Sequence, residues 1–427
     1  MPETSIIQNS NQVSLIKYGK LIKTLLMVEL VKSIEPVSIT AYSSISGCGL
    51  GNQALFETLK ENKSSLAELE LFEIPFSTYV GEIKEDLPEI KTELEIYNSR
   101  NSRVALAALN YTASGLREAL EVAKSKYGSH RVGVIIGTST SGLYETESAY
   151  GVLLKKGNMP DDFHFVTRHA YQATGRFLQL ELGLTGPCYA ISTACSSGAK
   201  AIAAGHRLIN SGVCDAVLVG GVDTLCRLTL RGFRSLDLVA KQPCTPMDKD
   251  RKGISIGEAA GLLLLEKPSR DNSMPKLLAV GESSDAHHMS TPHPEGKGAV
   301  LAMQSALQLA GVKAELIDYL NLHATATKIN DKVESNAVQQ VFSDQLRCSG
   351  TKGVTGHTLG AAGALEAIIA IIALQHQFIP GTHGLELLDD DCNLQVVKDS
   401  QSKQSVNYAM SNSFGFGGNN ASIIFAL

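Results

Sequence analysis

The 427-residue sequence predicts an α/β fold with sheets buried on both faces. Three observations predict it. Short runs such as RVGVIIG (131–137), DAVLVGG (215–221) and GEAAGLLLLEK (257–267) are apolar nearly throughout, where a half-exposed strand would alternate. Ala- and Leu-rich stretches of helical length lie between them. The junctions are built from Gly, Ser and Thr, the residues of tight turns.

Taken in order, residues 1–36 read as an extension ahead of the body. Residues 14–31 (SLIKYGKLIKTLLMVELV) are apolar but interrupted by Lys17, Lys20 and Lys23. The uncharged runs fall well short of the ~20 residues a membrane span requires, and no small-residue cleavage site follows. We expect no span and no signal peptide; an amphipathic helix lying on a membrane is the other reading of this segment. The body begins near Val37, where VSITAYSSISGCGLG reads as a strand and a Gly-rich turn. Residues 52–63 and 102–126 read as helices. CYAISTACSSGAKAIAAGHRLINSG (188–212) reads as strand, turn and helix. A second half starts near 276, with strands in LLAVGESS and IDYLNLHATAT. Residues 360–375 are apolar on all sides and predict a buried helix. Two strands around a Gly-rich turn end the sequence. Both halves feed a Ser/Thr/Gly turn into an Ala-rich buried helix (192–209 and 355–375), a faint internal duplication. The organisation is therefore 1–36, 37–275 and 276–427.

Composition narrows the function. Hydrophobic residues make up 44% and charged residues 19%, enough for a large core. A net charge of -5 gives no basic face for nucleic acid. The eight cysteines are scattered without C-x-x-C spacing, so they read as reduced thiols in a cytoplasmic protein and not as disulfides or metal ligands.

Chemistry concentrates at turns. Cys195 lies in S-T-A-C-S-S-G between strand and helix, where the free N–H groups and dipole of a helix N-terminus favour a thiolate. His323 ends an apolar strand. His357 precedes the buried helix, with Lys352 five residues earlier. Such turns are where α/β folds place active sites. Phe414-Gly415-Phe416-Gly417-Gly418-Asn419-Asn420 reads either as a plain hairpin turn or as one presenting an N–H to an oxyanion.

The ordered motifs T-A-C-S-S-G, P-M-D-K-D-R-K-G-I-S-I-G-E-A-A-G, H-A-T-A-T…N-D, K-G-V-T-G-H-T-L-G-A-A-G and S-F-G-F-G-G-N-N resemble those of β-ketoacyl-[acyl carrier protein] synthases of the I/II type. The resemblance runs from about residue 37 to 427. It implies a thiolase-like fold, two related halves in α-β-α-β-α layers, and a decarboxylative Claisen condensation in fatty-acid, polyketide or polyene elongation. By this resemblance Cys195 carries the acyl chain, while His323 and His357 hold the malonyl thioester carbonyl. The N–H groups of Cys195 and Phe416 form the oxyanion hole, and Phe416 gates the acyl pocket. Lys352 and Glu366 organise the histidine side, and Asp331 and Glu334 support the His323 loop. Thr325 and Thr327 bind the phosphopantetheine arm, with Phe414 and Gly417 beside the substrate. No metal or other cofactor is implied, since substrates arrive on the phosphopantetheine of acyl carrier protein. That protein is the implied partner, within a homodimer or a heterodimer with a related synthase subunit.

The sequence departs from the family at Ala324 and Ala326, usually Gly, where added methyls should border the pantetheine path. Asn419 replaces a usual Thr. Pro160-Asp161-Asp162 falls where relatives carry basic docking residues, leaving Lys155, Lys156, Arg100 and Arg103 as substitutes. Thr140 falls where a bulkier residue limits the acyl pocket, so a longer or more rigid chain should fit. The alternatives are a non-catalytic, pocket-shaping subunit, whose kind typically loses the nucleophile, and a thiolase or starter-type enzyme using acyl-CoA, whose kind typically has a Cys-His-Cys or Cys-His-Asn set.

Overall fold

Each buried run becomes a strand, and the strands repeat one order twice. In the first half β1 (Val37–Ser46), β2 (Val132–Gly137), β3 (Cys188–Ile191), β4 (Ala216–Asp223) and β5 (Ala259–Glu266) lie in the order β3-β2-β4-β5-β1. The first three are parallel; β5 runs against β4, and β1 against β5. In the second half β6 (Lys276–Ser284), β7 (Tyr319–Asn321), β8 (Arg347–Ser349), β9 (Tyr408–Gly415) and β10 (Asn419–Ala426) follow the order β8-β7-β9-β10-β6 with the same senses. The rhythm read from the sequence is thus a repeat of topology. β1 and β6 pair at Val37–Leu277 and Ser38–Lys276, joining the halves edge to edge. The computed structural model describes residues 34–427 apart from 270 and 272, so the reading of 14–31 lies outside the described residues.

The longer helices are α1 (Asn52–Lys60), α2 (Arg100–Asn110), α3 (Leu116–Tyr127), α4 (Leu143–Lys156), α5 (Ala173–Glu181), α6 (Ser197–Asn210), α7 (Arg227–Ser235), α8 (Lys297–Ala310), α9 (Lys328–Val341) and α10 (Ala362–His376). The single helix expected over 102–126 is two. Gly115, at φ +65°, turns the chain between α2 and α3, a conformation glycine adopts without a Cβ penalty.

Side chains along each strand alternate between two cores. From β2, Val132, Val134 and Ile136 join α2, α3 and α5 in an outer core, while Ile135 enters a central one. From β5, Leu262 and Leu264 face the outer core; Leu263 and Leu265 face the central one. β10 sends Ile424 to a third core with α8 and α9, and Ile423 and Phe425 to the centre. Helix, sheet, helix, sheet, helix is therefore the layer order of a thiolase-like fold. Alternation exists in space but not in the sequence, because both destinations are apolar.

α6 and α10 share the central layer and pack against each other. Each follows the third strand of its half. The stretch Leu359–His376 is apolar enough by composition to cross a membrane, yet 89% of it is buried inside the fold, which accounts for its apolar circumference. The turn before α6 carries Cys195, and the turn before α10 carries His357.

Candidate active site

The chain must reverse from β3 into α6 within a few residues. Ala194 does this at φ +51°, in the left-handed region that alanine seldom adopts. Its carbonyl accepts bonds from Ser197 Oγ (2.6 Å) and Ser139 Oγ (3.1 Å), and Thr193 N donates to Ser197 Oγ (2.9 Å). Cys195 sits at the apex, 6% exposed. The β9–β10 hairpin covers it. A Cβ on Gly415 would lie 3.0 Å from Thr193 O and 3.2 Å from Cys195 N, so this approach needs glycine.

Burial pushes the Cys195 thiol up to about 11, while the Phe416 N–H, Lys352 and Cys195's own N–H pull it down. The sequence suggested the opposite sign. The helix N-terminus and its N–H groups are in place, but the hairpin shuts out water and desolvation of the thiolate outweighs them. Cys195 rests as a thiol.

Both histidines are buried and neutral. Burial, reinforced by Lys352, lowers His357 to about 3. Burial, then Lys352 and His357, hold His323 well below its ordinary value. Their rings cross at 87° with centroids 5.4 Å apart. Cys195 Sγ and one ring nitrogen of each histidine lie within 4.8 Å of one another. Leu359 N donates to His357 Nδ1 (3.0 Å), which leaves the proton on Nε2. The Lys352 ammonium lies 3.4 Å from His323 Nδ1 and selects the same tautomer there. Two fixed N–H donors result.

The supports are carboxylates. Lys352 Nζ bonds His323 O (2.5 Å) and pairs with Glu366. Glu334 accepts the N–H groups of His323 (2.8 Å) and Ala324 (2.7 Å); burial raises this carboxyl to about 7. Asp331 accepts Ala326 N (3.2 Å) and Met247 N (3.0 Å) and pairs with Arg251 Nε (3.3 Å). The segment 253–257 braces His357: His357 N donates to Ser255 O (2.7 Å) and Gly257 N to His357 O (3.0 Å).

A cavity of about 450 Å³ reaches these groups. Cys195, His323, His357, Thr325, Thr327, Phe414, Phe416 and Gly417 all line it. Asp331, Glu334, Lys352 and Glu366 stand behind the lining. Thr140 does not border it. This residue is 3% exposed and its hydroxyl donates to Asp223 (2.7 Å), so its side chain is committed to the protein and not to a substrate. Ala324 and Ala326 are fully buried and absent from the lining, so their methyls do not narrow a pantetheine path. Arg100 is no docking residue: its guanidinium is buried in an ion pair with Glu258 and bonds Ile83 O (3.3 Å). Lys155 and Lys156 are exposed. Two residues went unnoticed in the sequence. Arg251 lines the cavity and ties Asp331 to Thr327 O (3.3 Å) and Lys328 O (3.0 Å); its place inside the 246–261 motif was the available signal. Asp223 had none.

Residues 34–270 match the beta-ketoacyl synthase N-terminal domain and residues 276–386 the C-terminal domain. Nodulation protein E of Rhizobium meliloti (strain 1021) is 31% identical over 91% of this chain and 98% of its own length. The 3-oxoacyl-[acyl-carrier-protein] synthase 2 of Vibrio cholerae is 32% identical over 91% and 98%. Among solved structures, the ketosynthase ApeO in complex with its chain length factor ApeC from Xenorhabdus doucetiae is 38% identical, with TM-score 0.85 over 93% of this chain and 99% of that one. The ishigamide ketosynthase/chain length factor has TM-score 0.83 at 28% identity, over 92% and 99%. The chain belongs to the β-ketoacyl synthase family and is a condensing acyltransferase of fatty-acid or polyketide elongation.

Proposed function

We propose that the chain condenses an acyl group held on Cys195 with a malonyl group delivered by acyl carrier protein, releasing CO2 and a β-ketoacyl-[acyl carrier protein]. The observation that carries this is the convergence of Cys195 Sγ and two neutral, donor-oriented imidazoles on one cavity. Cys195 Sγ attacks the incoming thioester carbonyl, and its proton leaves with the departing carrier thiol. The N–H groups of Cys195 and Phe416 receive the oxyanion. The malonyl thioester then binds with its carbonyl between His323 and His357. Loss of CO2 puts negative charge on that oxygen, and two N–H donors stabilise it without transferring a proton. The enolate carbon attacks the acyl carbonyl, and the Cys195 sulfur leaves as thiolate and regains a proton from water. Thr325 and Thr327, whose hydroxyls bond each other (2.9 Å), hold the pantetheine arm. Both carbon groups arrive as thioesters, so the chemistry needs no resident cofactor.

The acceptor of a partner subunit in this reading is the β3 edge. That strand ends the sheet order, and Tyr189 on it is exposed, as are Tyr150 and Leu154 on α4 and Phe165 and Val166 after it. The chain length factors solved with two similar ketosynthases favour a related subunit there over a second identical copy.

The test is acylation followed by intact mass spectrometry. The protein, alone and with a coexpressed related subunit, is given acyl carrier proteins bearing different chains and then malonyl carrier protein. We expect an acyl adduct on the Cys195 peptide, products two carbons longer, and neither from Cys195→Ala. No adduct with any chain in either form would overturn the reading.

A further inference from the structure

Asp223 ends β4 with its carboxylate fully enclosed. Oδ1 accepts Thr138 Oγ1 (2.6 Å), Ser139 N (2.9 Å), Thr140 N (2.8 Å) and Thr140 Oγ1 (2.7 Å). Oδ2 accepts Ser139 N (2.8 Å) and Gly360 N (2.6 Å). All of these donors are neutral. A buried charge held this way is secure only while every donor stays in place, since a lost bond leaves desolvated charge uncompensated.

The donors come from both halves of the fold. Residues 138–140 follow β2, and Gly360 lies between His357 and α10. From each side one further bond reaches a reacting group. Ser139 Oγ donates to Ala194 O (3.1 Å), in the peptide unit that leads into Cys195. Leu359, beside Gly360, donates its N–H to His357 Nδ1 (3.0 Å). Space is matched to the contact: a Cβ on Gly360 would sit 2.7 Å from Asp223 Oδ2 and 2.8 Å from Ser139 N. Asp223 is not among the residues lining the cavity.

We propose that Asp223 is a positioning residue that sets the spacing between the nucleophile turn and the His357 turn, and so the approach of the enolate to the acyl-Cys195 carbonyl. The inference rests on the condensation reading above. It predicts a split between rate and binding. Thr325 and Thr327, the arm-binding side chains, have no bond to Asp223, so recognition of the carrier thioester should survive its loss.

Asp223→Asn keeps the shape but turns an amide N–H toward backbone donors. Ser139→Ala keeps the carboxylate and cuts only the link to Ala194. Both are assayed beside the parent chain, with its partner subunit if the parent needs one, using octanoyl- and malonyl-charged acyl carrier protein. Rates are normalised to the Cys195 that iodoacetamide alkylates in the folded protein. For Asp223→Asn we expect kcat per alkylated site to fall about 30-fold or more, with KM for malonyl carrier protein within about twofold. For Ser139→Ala we expect a fall of about threefold to tenfold with an unchanged melting temperature. Should Asp223→Asn not fold, the Ser139→Ala result decides. Rates per site within about twofold of the parent for the folded variants, or a rise in KM at constant kcat, would overturn the positioning role. An inactive parent would instead overturn the condensation reading.

Discussion

The two halves of this molecule share one strand order and place a turn before equivalent central helices, yet the turns are chemically unlike. The turn before α6 is built from Thr193, Ala194, Ser196 and Ser197, bonded to one another through hydroxyls and backbone. Near the turn before α10, Lys352, Glu366, His357 and the neighbouring His323 lie buried together. The side chains of the first turn around Cys195 are uncharged; ionisable groups gather at the second. Stabilisation of a carbanion equivalent needs fixed donors in a dry site, and burial, reinforced by a cation behind the histidines, keeps them neutral. A thioester-forming thiol needs only a place at the apex of a tight turn that the cavity reaches and two N–H groups at its oxyanion.

The sharpest way to break that contrast is to remove the cation. Lys352→Met strips the buried Glu366 carboxyl, already raised to about 7 by burial, of its cation and hydrogen-bond donor, and Glu366 Oε2 has no partner among the described residues. Breaking one side of such a pair costs about 3–5 kcal/mol, visible in urea unfolding. Condensation should fall about 10²–10³-fold, while acylation of Cys195 changes far less. Lys352→Met with Glu366→Gln should restore stability but not rate. A double variant that condenses at the parent rate would reduce Lys352 to a structural part.

Titration separates the turns next. The folded value of His357 is about 3, against roughly 6.5 for an unfolded histidine. As pH falls below 6.5 the unfolded chain takes up a proton that folded His357 refuses, so stability is full above about 6.5 and drains toward pH 3. His357→Gln should flatten that decline in urea unfolding measured across this window. Cys195→Ser should leave it unaltered, because neither thiol nor hydroxyl titrates there. Equal slopes for His357→Gln and the parent would mean that the imidazole is not held neutral.

Legibility in the sequence followed the range of the contacts. Cys195, His323 and His357 were visible because strand, turn and helix are written within a dozen residues around each. The buried sheets were visible through apolar runs and the layer order through the resemblance, although which face a strand residue meets was not, since both faces are apolar. Asp223 was invisible because its donors lie near 139 and 360. Arg100 and Thr140 were misread for the same reason: Glu258 and Asp223, which occupy their polar atoms, are remote in the chain. The sign of the Cys195 shift was misread because the water-excluding hairpin comes from residues 414–420.

The smallest effect concerns backbone strain, which the turn before α6 and the His323 loop both carry. Ala194 sits at φ +51° and Ala326 at φ +66°, where a Cβ costs about 1–2 kcal/mol. Glycine relieves that strain but gives back about 0.5–1 kcal/mol through the freedom of the unfolded chain. Ala326→Gly should therefore stabilise slightly, by about 0.5 kcal/mol, and leave condensation within about twofold, since Asp331 already grips the Ala326 N–H and the methyl meets no substrate. Ala194→Gly should gain the same stability yet slow condensation, because its carbonyl is the one bond by which Ser139 steadies the nucleophile turn and a freer φ loosens the position of Cys195. Matching rates for the two glycine variants would show that the neutral cradle holds its nucleophile no more tightly than the carboxylate-gripped loop holds His323, and the contrast between the halves would then lie in charge alone.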